Sequence, residues 1–191
     1  DRCDECVYVV LLEQLHRTPG RESDLVRTLE RRAEVDLDVT NRKTLLREAA
    51  SLAEKSLTNV DLAASLTAKL LESDDADLEG LELLARLRGQ QNRNEDVAEL
   101  LSKRARLVDD TALATQLRRQ VAELYAGPIN DANRAVAAYR ELLEFDPADH
   151  AARRAVEDIF EKTGRFKDLE ESLRQRVDVA VSAEERNETR V

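Results

Sequence analysis

Apolar residues along this chain of 191 residues recur at three- and four-residue intervals rather than on alternate positions. Leu117, Val121, Leu124 and Tyr125 show the pattern: their spacing puts one apolar stripe on a helix and leaves the opposite side polar. Read from end to end, the spacing predicts roughly eleven helices of about 10 to 18 residues each. Pro19, Pro128 and Pro147 all fall between them, where a missing amide hydrogen costs no helical bond. Gly20, Gly127 and Gly164 fall in turns as well. Gly80 is the exception inside a helix, either permitting a close crossing or simply tolerated there.

The helices repeat. Asp24, Asp96 and Asp168 are evenly spaced, since 96 minus 24 and 168 minus 96 both give 72. The same shift superimposes Leu29, Leu101 and Leu173, then Arg32, Arg104 and Arg176, then Arg21, Arg93 and Arg165. Further positions follow without a gap: Leu45, Arg47, Ala50 and Leu52 return as Leu117, Arg119, Ala122 and Leu124. Ala63, Leu70, Leu71 and Asp74 return as Ala135, Leu142, Leu143 and Asp146. Within each period two similar helix hairpins of about 36 residues are distinguishable. The pattern predicts hairpins at 6–37, 39–74, 76–109, 111–146 and 148–181, with the start of another at 183–191, all in one repeat domain over 1–191 that belongs to a longer array.

Residues 131–149, DANRAVAAYRELLEFDPAD, carry a small residue at Ala135, an aromatic four places later at Tyr139 and a turn proline at Pro147. That segment resembles the second helix and closing turn of a tetratricopeptide repeat. Residues 153–173 resemble the family's first helix and turn, with Val156, Phe160 and Gly164 in the apolar, aromatic and glycine places. Arg153 replaces the usual tryptophan, Glu157 a small residue, and Leu169 and Leu173 the later small and aromatic ones. The whole is similar to divergent bacterial multi-repeat arrays. The resemblance implies an all-α fold, a right-handed α-α superhelix of stacked antiparallel hairpins whose first helices line a concave groove. Projected onto this sequence, it sends Arg17, Arg47, Arg86, Gln116, Arg119, Glu123, Arg154 and Asp158 toward that groove. It implies a non-catalytic scaffold that binds a peptide or protein there; the alternative is a regulatory or spacer array attached to a catalytic or sensor domain. The groove arginines suit the carboxylates of an extended peptide, or else ion pairs between helices of the scaffold itself.

Composition narrows the partners. Forty acidic against 30 basic residues give a net charge of -10, with no basic block to attract nucleic-acid phosphates. The longest apolar run, the four residues Val9–Leu12 extended a little by Val7 and Tyr8, is far too short for membrane insertion. An exposed terminal hairpin offers a route to self-association. Cys3 and Cys6 have the spacing of half a zinc site, but the repeat places them in an ordinary inter-hairpin turn. His16 and His150 sit in no nucleophile or metal motif, so neither metal nor cofactor is expected, and structural roles are.

Overall fold

The computed structural model describes residues 2–176, with side chains from residue 8 onward. Within them every regular element is helical, and ten helices occur. These are α1 (Arg2–His16), α2 (Glu22–Val35), α3 (Val39–Lys55), α4 (Val60–Ser73) and α5 (Leu78–Gln90). They continue as α6 (Asn94–Leu107), α7 (Thr111–Ala126), α8 (Ala132–Phe145), α9 (His150–Lys162) and α10, described over 166–176. The predicted helix at 183–191 lies outside the described residues.

Why the helices start where they do follows from side chains with an oxygen near the backbone. Asp38, Asn59, Asp77, Asp131 and Asp149 each accept from amide hydrogens in the first turn of α3, α4, α5, α8 and α9. The turns obey the 72-residue period too. Gly20, Asn92 and Gly164 all have positive φ, at 87°, 57° and 69°, and Thr58 and Asn130 form a second such pair at 49° and 56°. After α5 and α9 the amide two residues beyond the cap reaches back to close the helix: Arg93 N–H donates to the Arg88 carbonyl at 3.0 Å, and Arg165 N–H to the Phe160 carbonyl at 2.8 Å.

The chain forms two compact units, Asp1–Ala114 and Thr115–Val191. In the first, each helix from α1 to α6 packs on the one before it, joined by short turns that make neighbours antiparallel. Its core runs through α2–α5 and centres on Leu29, Leu66 and Leu70, all essentially inaccessible. From α3 and α4 the core takes Ala49, Ala50, Ala53, Ala63 and Ala64, small side chains that let packed helices approach. The second unit has its own core of Ala122, Val136, Tyr139, Leu142, Ala152, Val156 and Phe160, with Leu169 of α10 against it. Ala135 and Tyr139 are buried together, as the small-plus-aromatic pattern requires.

One open alternative narrows and one sequence expectation changes. A Cβ at Gly80 would stand 3.0 Å from Leu70 Cδ2 and 3.1 Å from both Leu71 Cδ2 and Asp77 Oδ1, so α4 and α5 approach closely there and a side chain would make these neighbours shift. Residues 2–6 are not a turn, because α1 already runs from Arg2. The apolar residues 7, 9 and 10 continue a helical pattern backward with no proline or glycine to stop it. The side chains of Cys3 and Cys6 lie outside the described residues.

Candidate partner-binding face

Of the eight residues assigned to the groove, four of the five arginines, Arg17, Arg47, Arg86 and Arg119, are already engaged. Arg47 on α3 donates through Nη2 to both oxygens of Asp77 at 2.9 Å. Its counterpart one period later, Arg119 on α7, brings Nη2 to 2.6 Å from Asp149 Oδ2. Asp77 and Asp149 are the caps of α5 and α9. Asp77 Oδ1 accepts from Gly80 N–H at 2.7 Å, and Asp149 Oδ1 from the Ala151 and Ala152 amides at 3.0 and 2.9 Å. A buried carboxylate therefore closes one helix while an arginine of the preceding hairpin's first helix grips it. The same two positions meet once in each unit, with both Asp77 oxygens hydrogen-bonded in the first and a single Nη2–Oδ2 ion pair in the second.

Arg17, just past α1, pairs with Glu48 of α3 at 2.8 Å and with Glu13 at 2.7 Å; Arg86 of α5 pairs with Glu54 of α3 at 2.5 Å. These contacts tie the first helices α1, α3 and α5 side by side in the first unit. Arg32, one of the residues that first revealed the period, has a different task, pairing with the buried Glu13 across its own hairpin. Arg176, two periods on, pairs in the same way with Glu157 at 2.8 Å. Arg104 has Ala85 where a glutamate would stand, and it turns instead to Glu82 one helical turn earlier at 2.6 Å.

The remaining candidates are in the second unit. Gln116 and Glu123 lie on the same stripe of α7 as Arg119, and Arg154 and Asp158 lie one turn apart on α9. All four are exposed. Asp158 also lines a cavity of about 230 Å³ with Ile159 and Lys162 of α9 and Asn130 and Ala132 at the start of α8. His16 is held by Thr28, with Nδ1 2.9 Å from Oγ1, and His150 begins α9 behind its cap. Among the described residues, no group of three His, Cys, Asp or Glu side chains is arranged to hold a metal, and no helix is long and apolar enough to cross a membrane.

Electrostatics favour the ionised clasps. Burial pushes the Asp77 carboxyl up, but Lys43, the Gly80 amide and Arg47 together outweigh it, and the net direction is below the ordinary value. Asp149 behaves alike: burial raises it, while the Ala152 amide and Arg119 lower it further than burial lifts it. Glu13 is also lowered, Arg17 and Arg32 overcoming its burial. A depressed folded value means the stabilisation is complete above the unfolded pKa, near 4, and is lost as pH falls through the folded value. The thermal midpoint is therefore expected to drop steeply below about pH 4. With Asp77→Asn and Asp149→Asn, which keep a capping oxygen, the midpoint should be lower at neutral pH and its acid slope shallower. Identical acid slopes for both proteins, followed by circular dichroism, would show that these carboxylates do not carry the effect.

What sequence reasoning missed is the carboxylate half of each pair. Asp77 and Asp149 share the spacing of Arg47 and Arg119, and that coincidence was the available signal. Glu48 and Glu54 repeat nowhere at 72 residues, being followed by Gln120 and Ala126, and only their packing reveals them.

No family model matches the chain, and no curated protein does. Solved structures of MamA align with it over most of its length. A crystal structure of MamA protein is 13% identical, covers 91% of this chain and 90% of its own, and has a TM-score of 0.47. MamA of MSR-1 is 16% identical over 94% of this chain and 98% of its own, TM-score 0.47. The 41-end fragment of MamA from Desulfovibrio magneticus RS-1 is 12% identical over 94% and 97%, TM-score 0.44.

Proposed function

We propose that this chain is a non-catalytic protein-interaction scaffold of the tetratricopeptide-like kind, one array over 1–191 that holds a peptide or protein partner on the polar side of its first helices. The observation that carries the reading is the pinning of that side. Arg17, Arg47 and Arg86 in the first unit and Arg119 in the second are each held by a carboxylate of a neighbouring helix of their own unit, so residues beside them on the same helix stand pre-ordered and lose little entropy on binding. In this reading the pinned arginines build the surface, and the exposed Gln116, Glu123, Arg154 and Asp158 meet the partner.

The test uses residues whose loss leaves the clasps intact. Arg154→Glu combined with Asp158→Lys is expected to leave the melting curve within a degree or so, because exposed substitutions of this type cost about 0.5 kcal/mol or less. A partner captured by the native chain should then be lost or bound at least roughly tenfold more weakly. Equal recovery by both proteins would put the interface elsewhere. The spacer alternative draws on the same ion pairs, which stiffen the connection between hairpins; capture of no partner by either protein would favour it.

A further inference from the structure

The period of 72 residues lets one unit serve as the reference for the other. Three positions that are apolar in the first unit, Ala68, Leu81 and Leu100, become Arg140, Arg153 and Ser172 in the second. Leu81 is fully buried, and Ala68 and Leu100 pack against the first core. Their neighbours stay apolar: Leu71 and Leu84 correspond to Leu143 and Val156. These changes remove side-chain volume at Ser172 and put two arginines on the lining, while Phe160 stands where the first unit has Arg88. The result in the second unit is a cavity of about 310 Å³ between α8, α9 and α10, floored by Leu143, Val156 and Phe160.

The charges around it are unevenly satisfied. Arg176 is held by Glu157, and Asp168 by Arg165 at 2.7 Å. Arg153 donates through Nη2 only to the Pro147 carbonyl at 2.9 Å, and Arg140 lies over the Phe160 ring, 5.8 Å from its centre. Neither makes an ion pair among the described residues, in contrast to the pinned arginines of the first helices. Glu171 also lines the cavity, so its wall carries three guanidinium groups against two carboxylates.

We infer that this cavity is a second binding site, taking a short acidic peptide segment in which a carboxylate stands beside an aliphatic side chain. The carboxylate takes the free donors of Arg140 and Arg153, and the aliphatic group lies against the half-buried Leu143. The site uses none of the residues of the face proposed above and stands or falls separately.

Fluorescence anisotropy on the full chain tests it, with a short labelled peptide of alternating leucine and glutamate as the probe and a leucine–glutamine peptide as control. The glutamate peptide should bind and the glutamine peptide at least roughly tenfold less. Arg140→Gln with Arg153→Gln should cause a similar loss. Ser172→Leu, which restores the residue of the first unit, should block binding while leaving the thermal midpoint unchanged or raised, so that loss of fold is not mistaken for loss of site. No binding of the glutamate peptide, equal binding of both peptides, or undiminished binding by the Arg140→Gln/Arg153→Gln or Ser172→Leu chains would overturn the inference. Binding that survives those changes but falls with Arg154→Glu/Asp158→Lys would overturn this site while leaving the proposed face standing.

Discussion

Phe160→Ala is expected to destabilise the second unit by about 3–5 kcal/mol, the range for deleting a fully buried ring. The ring is 1% exposed. It packs with Val136, Tyr139, Leu142 and Val156, and the Arg165 guanidinium covers it 4.7 Å from its centre. The second unit has a smaller core than the first, so the loss approaches the whole stability of a small domain. Hydrogen exchange provides the sharpest readout. Protection of the α8 and α9 amides should collapse, while α3 and α4, whose core lies in the other unit, keep theirs. A loss below about 1 kcal/mol would mean that the ring does not hold these helices together.

Leu29→Ala is expected to cost about 3 kcal/mol, and Leu173→Ala about 0.5 kcal/mol, although the repeat makes the two positions equivalent. Leu29 is 0% exposed, enclosed by α2, α3 and α4, and its removal leaves a cavity. Leu173 is 36% exposed, so water already reaches it and replaces part of the lost contact. Urea unfolding of the two variants, compared at equal slope, measures the difference. Similar costs would show that burial at the two positions is alike.

The same pair of leucines separates what is local from what is not. Helices, turns and period are local properties. The apolar stripe of α7, the positive-φ positions at Gly20 and Gly164, and the capping aspartates act within a few residues, and each repeats wherever its sequence repeats. The all-helical, hairpin-repeat class was legible for that reason. The candidate face was legible only in part. Arg47 and Arg119 were visible as repeated cations, but a cation on a helix suits a partner's carboxylate and a neighbour's equally well. The choice was made by Asp77 and Asp149, 30 residues away in each case.

By itself, then, the sequence determined the helices, their capping and the 72-residue register, because backbone hydrogen bonding and side-chain spacing are decided within a turn or two of chain. Tertiary structure alone decided which members of that register are buried, which arginines are already paired, and that the changed positions of the second unit line a cavity. Burial and pairing depend on what the next helix places opposite a residue. Leu81 and Arg153 occupy the same register position, yet one completes a packed core and the other borders an open cavity.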